Sequence, residues 1–238
     1  MHLVGRDAGG TAAVGDATQT LLVACGTDRR TSQDAIAVAA LHPNRVKAFA
    51  GVHPSEADRD GELGWLMAAL EGSAGLGEVG LDPSYSPVAP RSTQMGAFLS
   101  QLEAAQKLSK PVQIHSRGAE KMVLDILGSF GLKRVLMHWL ESEELLPAAL
   151  EKGYFVSFGP AVLYSKKLQR MARKAPPDQV LTETDSPVAY RPLNGAHGPS
   201  LVPSVVFRLA ELWGVPFEDA RRAVFSGSLR FLGLPEKG

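Results

Sequence analysis

The sequence lacks the features that mark several large classes of protein. It contains one cysteine, Cys25, which excludes an intramolecular disulfide and a metal site of clustered thiolates, and which mildly favours a reducing compartment. No apolar run approaches the roughly 18 residues of a membrane span. The N-terminus also lacks the basic-then-apolar layout of a signal peptide. We therefore expect a soluble, cytoplasmic protein.

An excess of charge of one sign is also missing, because 25 basic side chains balance 25 acidic ones. A balanced chain has no global positive field that would indicate binding to nucleic acid or to a membrane. This balance does not exclude a nucleic-acid substrate, since an enzyme can hold only a few phosphates.

Short apolar runs recur along the chain and are separated by helix-like stretches. Strands that alternate with helices indicate a parallel sheet. The clearest helical pattern covers Ser92–Leu108, with Ser92 as the predicted N-cap, and a second covers Lys121–Phe130. The apolar runs predict seven strands, near Leu21–Cys25, Val46–Val52, Gly75–Leu81, Pro111–His115, Arg134–His138, Tyr154–Phe158 and Gln179–Thr184.

The number of strands favours an α/β fold of the (β/α)₈ TIM-barrel type. A stub at Met1–Val4 would supply the eighth strand, and residues 1–238 would form a single domain of ordinary length for such a barrel. The first strand and first helix are expected to be shortened, because glycines crowd the segment that follows the stub. The alternative is an open doubly wound sheet, although no G-x-G-x-x-G turn follows an early strand.

Histidines and carboxylates stand where the predicted strands end. Catalytic groups of a barrel gather at the carboxyl ends of its strands. A lone histidine there is often only a hydrogen-bonded structural residue, but three of them beside carboxylates indicate a metal site. Imidazole and carboxylate ligands suit Zn²⁺, Mn²⁺ or a similar divalent ion. The residues concerned are His53, Glu78, Asp82, His115, His138 and Asp185.

Two of these carboxylates are the candidates for catalytic work. Glu78 lies in the segment GEVGLD, Gly77–Asp82, and could bridge two cations. Asp185 is the best candidate to orient or deprotonate a metal-bound water.

Three motifs resemble those of a known family, the TatD-like metal-dependent hydrolases. They are GEVGLD, then PVQIHSRGAE at Pro111–Glu120, then TETDSP at Thr182–Pro187. Supporting matches are CGTD at Cys25–Asp28, GVHP at Gly51–Pro54 and SLRFLGL at Ser228–Leu234. The resemblance implies a TIM barrel with one or two divalent metal ions, Zn, Mn or Mg, and a deoxyribonuclease of the 3′-to-5′ exonuclease kind that acts on DNA.

The resemblance also implies roles for single residues. Metal ligands would be Glu78, His115, His138 and Asp185. His53 would lie near the substrate, and the guanidinium of Arg117 would contact a phosphate. A solvated side chain at a helix start is the alternative for Arg117, while His42 and His197 match nothing in the pattern and are expected to be loop residues.

The chain departs from the family pattern in two places. The family opens with H-x-H-Leu, and only His2 and Leu3 match it, so His2 would be a weakened ligand of the first metal. Either the chain begins inside a longer reading frame or this metal site is incomplete. After His138 the family often continues Cys-Phe-Ser-Gly, whereas this chain has Trp139 and Leu140.

Three functions follow from these observations. The first is a metal-dependent nuclease, which we expect to be a monomer. The second is a hydrolase of amides, esters or lactones in the same class of barrel. The third is a degenerate, non-catalytic relative that still binds metal.

Overall fold

Seven parallel strands form one sheet in a computed structural model that describes residues 20–58, 63–84, 89–186, 189–190, 195–196 and 198–235. Their order in the sheet is their order in the chain. A separate antiparallel pair consists of β8, Ala189–Tyr190, and β9, Gly195–Ala196. The strands of the large sheet are β1 Leu22–Cys25, β2 Val46–Ala50, β3 Gly75–Gly80, β4 Val112–His115, β5 Val135–Met137, β6 Phe155–Phe158 and β7 Val180–Thr182.

All seven strands predicted from the apolar runs are present within a few residues of their expected bounds. A doubly wound sheet reverses its strand order at a switch point, and this sheet has no such reversal. The open-sheet alternative is therefore wrong. The predicted stub at Met1–Val4, with the shortened first unit, lies outside the described residues.

Helices connect the strands. They are α1 Arg29–Leu41, α2 Leu66–Gly72, α3 Arg91–Lys107, α4 Glu120–Leu127, α5 Leu146–Glu151, α6 Lys166–Lys174, α7 Val202–Trp213 and α8 Phe217–Leu232. Among the described residues, no helix is both long enough and apolar enough to cross a lipid bilayer.

Contacts between distant strands show that the sheet curls. The thiol of Cys25 on β1 donates to Gln113 Oε1 on β4 at 3.5 Å. In a flat sheet, three strand spacings of about 4.8 Å would hold these strands about 14 Å apart. Phe231, in the last turn of α8, packs against both Phe49 on β2 and Phe155 on β6. The inner face of the sheet therefore encloses a core.

The start of α3 differs from the prediction. The amide of Gln94 donates to the carbonyl of Pro90 at 3.0 Å, so the helix is already formed at Ser92. Pro90 is the N-cap residue, in an extended conformation, and Ser92 is not. A proline suits this place, because its fixed φ and missing N–H cost nothing where a helix begins.

Two glutamines on α3 are buried and bind backbone. Gln101 Oε1 accepts from Val52 N at 2.7 Å, and its Nε2 donates to Val52 O at 3.1 Å. Gln94 forms the same pair of bonds with Asp82, at 2.9 and 3.1 Å. The two side chains thus satisfy buried polar atoms of the loop backbone, which would otherwise need other partners. The helix thereby fixes the loops that follow β2 and β3.

Candidate metal centre

The backbone of β3 is shaped to bring Glu78 into the barrel mouth. Gly77 and Gly80 have φ values of +158° and +151°, and the register to β4 shifts between Leu76 and Val79. A Cβ atom on Gly80 would lie 1.8 Å from the carbonyl oxygen of His115, so only glycine lets the two strands approach this closely. The glycines around Glu78 are thus a requirement of the backbone.

Glu78 lies at the centre of a cluster formed by the ends of four strands. Its Oε1 is 2.9 Å from His115 Nδ1 at the end of β4 and 3.3 Å from His138 Nε2 after β5. His138 Nε2 is in turn 4.0 Å from Asp185 Oδ1, which follows β7. The structure therefore brings together the four residues that the sequence pointed to as ligands.

The cluster contains two groups of possible ligand atoms. His53, Glu78 and His115 form one, and Glu78, His138 and Asp185 form the other. Within each group the ligand atoms lie within 4.8 Å of one another. Because Glu78 belongs to both, its carboxylate is the one placed to contact two cations.

His53 lies against the cluster, whereas the family resemblance implied only that it would lie near the substrate. Its ring is 4.6 Å, centroid to centroid, from that of His115. Its Nδ1 is occupied by Ser55, whose hydroxyl oxygen lies at 2.8 Å and whose amide nitrogen lies at 3.1 Å. Nε2 is therefore the ring nitrogen that His53 has left for a ligand.

His115 and His138 are each backed by a second carboxylate. His115 Nε2 lies 2.8 Å from Asp82 Oδ2, and His138 Nδ1 lies 2.5 Å from Glu183 Oε2. The hydroxyl of Ser157 also donates to Glu183 Oε2, at 2.6 Å. Partners of this kind orient an imidazole ring and leave its other nitrogen for a metal ion. Here that other nitrogen is the one that faces Glu78.

These carboxylates set the charge state of the metal-free cluster. Burial alone would lower the pKa of His138, but the negative charges of Glu183 and Glu78 raise it to about 10. Burial also lowers the pKa of His115, but hydrogen bonds to Asp82 and Glu78 outweigh this effect and raise it. The carboxylates around both histidines therefore favour the charged imidazolium over the neutral ring.

The donor set fits a divalent metal ion. It combines imidazole nitrogens with carboxylate oxygens and holds them behind fixed hydrogen-bond partners. Cys25 belongs to neither group of ligand atoms, and its buried thiol, whose pKa burial raises to about 12, donates to Gln113 instead. Imidazole nitrogens suit Zn, and carboxylate oxygens suit Mg and Mn, so this mixed donor set is compatible with each of the three ions.

The other candidate residues lie around or away from the cluster. Arg117 is exposed just after β4. Burial alone would raise the pKa of Asp82, but hydrogen bonds from His115 and Ser84, together with the positive charge of Arg117, lower it. His42 is the C-cap residue of α1, as expected for a loop position. His2 and His197 lie outside the described residues.

The sequence analysis assigned no role to Glu183 and did not predict that Asp82 would contact His115. Glu183 stands two residues before Asp185 in TETDSP, so the motif contained the signal. In CGTD, by contrast, Asp28 is the N-cap of α1 and accepts from Thr31 N at 2.6 Å.

Comparisons with known proteins agree with this geometry. Residues 6–233 match the family described as TatD related DNase. The chain is 34% identical over 178 residues to the uncharacterized metal-dependent hydrolase YcfH of Escherichia coli K12, covering 71% of this chain and 67% of YcfH. It is 30% identical over 205 residues to the 3′-5′ ssDNA/RNA exonuclease TatD of Erwinia tasmaniensis, covering 79% of each protein.

A solved structure has the same fold. The crystal structure of YJJV, a TatD homologue from Escherichia coli K12, superimposes with a TM-score of 0.85 at 22% identity, over 96% of this chain and 93% of that one. The predicted barrel class and the family resemblance are both confirmed.

Proposed function

Because this chain belongs to the TatD-related family of metal-dependent hydrolases, we propose that it is a deoxyribonuclease that removes nucleotides from DNA ends in the 3′-to-5′ direction. The observation that carries the proposal is the position of Glu78, whose carboxylate contacts both histidines of a buried, imidazole- and carboxylate-lined cluster. The name of the Erwinia relative supports a nucleic-acid substrate.

The proposed metal ligands are Glu78, His115, His138 and Asp185, with His2 as a further candidate. They would hold one or two ions of Zn, Mn or Mg. A bound divalent ion would supply a water of lowered pKa and would neutralise charge that develops on the phosphoryl group.

The protein groups then divide the remaining work. The side chain of Asp185 is 13% exposed and lies 4.0 Å from His138 Nε2, and its carboxylate can accept a proton from an attacking water. Arg117 is exposed beside Asp82 and can place its guanidinium on a phosphate oxygen. His53, whose Nδ1 is occupied by Ser55, can turn its Nε2 towards another phosphate oxygen. Glu78 holds His115 and His138 in position through its contacts with both side chains.

A nuclease assay tests this proposal. Purified protein would be incubated with 3′- or 5′-labelled single- and double-stranded DNA and with Mg²⁺, Mn²⁺ or Zn²⁺. We expect a metal-dependent ladder of products shortened from the 3′ end, which Glu78→Gln abolishes. Glu71→Gln, at an exposed position on α2, is the matched control and should keep full activity.

Parallel assays with amide, ester and lactone substrates test the competing class of reaction. Hydrolysis of one of these without any cleavage of DNA would refute the nuclease and favour another metallohydrolase. The proposal also treats residues 1–238 as one catalytic domain that acts as a monomer, which light scattering of the purified chain would check.

A further inference from the structure

Trp139 is the most unusual apolar side chain near the metal centre. It follows His138 directly, and it is 38% exposed. The other two tryptophans, Trp65 and Trp213, are partly buried and pack against the main core. An exposed indole beside a buried ligand cluster is not needed for packing.

The local backbone turns this side chain outwards. Trp139 has a φ of +45°, which is uncommon for a bulky residue and which persists only where the surroundings hold it. Its amide donates to Ser157 Oγ at 3.1 Å, and the same hydroxyl donates to Glu183, the partner of His138. The next residue, Leu140, is only 2% exposed. The loop therefore buries one of its two apolar side chains and presents the other at the mouth.

The indole is held in a fixed place relative to the metal centre. Its ring stands edge-on to that of His138, at 82° and 6.2 Å between centroids. Further along the loop, Glu141 lies 3.3 Å from Lys167, and Glu143 pairs with Arg170 at 3.1 Å, so the loop is tied to α6. Each exposed ion pair is weak by itself, but several between the same two segments limit the positions of the loop.

A second exposed aromatic ring lies in the segment that follows β6, the strand next to β5 in the sheet. Tyr164 is 50% exposed and precedes α6, the helix to which the Trp139 loop is tied. Aromatic faces beside a positively charged or phosphate-binding groove are what proteins use to hold unpaired bases, since every base has a π-face.

We propose that Trp139 is a stacking platform for an unpaired base of a single-stranded nucleic acid whose scissile phosphate lies at the metal centre. This inference rests on the nuclease function proposed above. A base inside a duplex has no free face, so the platform selects single strands or frayed ends.

Binding without catalysis tests the platform. A fluorescein-labelled oligothymidine would be titrated with protein in EDTA, and the anisotropy compared with that of an abasic oligomer of equal length. We expect Trp139→Ala to weaken binding of the oligothymidine by about 5- to 100-fold. Trp139→Phe should recover most of the affinity, because a phenyl ring still stacks. The abasic oligomer, which offers phosphates but no bases, should bind both variants as it binds the native protein.

A matched control excludes a general effect of losing an indole. Trp213→Phe, at a position that packs against the core and donates to Ala172 O, should bind the oligothymidine as the native protein does. Native indole fluorescence should be quenched by the oligothymidine, and the quenching should be lost in Trp139→Phe.

The outcomes separate this inference from the function on which it rests. If the native protein cleaves and binds DNA but Trp139→Ala binds the oligothymidine equally well, the platform is refuted and the nuclease stands. If Trp139→Ala weakens the oligothymidine and the abasic oligomer alike, the residue supports the loop and not a base, which also refutes the platform. If the native protein neither binds nor cleaves any nucleic acid, both proposals fail.

Discussion

A substitution of the buried residue Gln101 would measure how much α3 stabilises the loop that carries His53. Gln101→Leu keeps nearly the same volume on α3 but removes both hydrogen bonds to Val52, the residue before His53. The Val52 N–H and C=O would then be buried without these partners. Each such group costs about 1–3 kcal/mol, so for the two groups we expect the free energy of unfolding to fall by roughly 2–6 kcal/mol.

Urea unfolding of the metal-free protein, followed by circular dichroism, measures this change. The matched control is Glu103→Leu, at an exposed position two residues further along the same helix, which should alter stability by less than about 0.5 kcal/mol. A loss below about 0.5 kcal/mol for Gln101→Leu would refute the claim that this side chain satisfies the loop.

Three further predictions concern the cluster itself. Burial lowers the pKa of His138, and Glu183 is the strongest of the negative charges that raise it. In the metal-free protein, Glu183→Gln should therefore bring the pKa of His138 down from about 10. An unchanged pKa in an NMR titration would contradict the contact. Burial lowers the pKa of His138, but Glu183 and Glu78 raise it to about 10, so metal binding at pH 7 should release at least one proton, and the apparent affinity should rise by about tenfold per pH unit up to about pH 10. Titration heats that do not vary with the ionisation enthalpy of the buffer would exclude this release. Gly80→Ala should destabilise the protein by at least about 3 kcal/mol, because its Cβ would lie 1.8 Å from the His115 carbonyl oxygen. A variant that unfolds at the same urea concentration as the native protein would show that β3 and β4 can separate.

The strands were predictable because each is a short apolar run bounded by polar turns. Parallel strands buried on both faces give continuous apolar segments, and β2 and β3 are buried along almost their whole length. The ligand cluster could be predicted for the same reason, since the barrel places residues near the carboxyl end of each run at its mouth. Glu78 and His115 could be found from the pattern alone.

Polar groups buried for structural reasons could not be found in this way. Gln94 and Gln101 lie on the buried side of α3, where the predicted apolar stripe had no place for them. Their partners are backbone atoms of loops, and a sequence pattern does not show where a loop backbone lies. The same holds for Glu183, whose role depends on the position of a histidine 45 residues earlier.

The predicted N-cap at Ser92 was wrong because two residues that favour the start of a helix, Pro90 and Ser92, lie close together in the sequence. Serine is a good N-cap, but the proline at position 90 begins the helix first. Only the hydrogen bond from Gln94 to Pro90 decides between them.

Metal content is the most direct test of the central claim that Glu78 is shared by both groups of ligands. Native protein, Glu78→Gln and Asp185→Asn would be dialysed against Mn²⁺ or Zn²⁺, freed of unbound ion, and measured by elemental analysis, with circular dichroism to check the fold. We predict that Glu78→Gln retains no stoichiometric ion, whereas Asp185→Asn weakens only the group that it shares with His138. A folded Glu78→Gln protein that retains as much metal as the native chain would contradict the account.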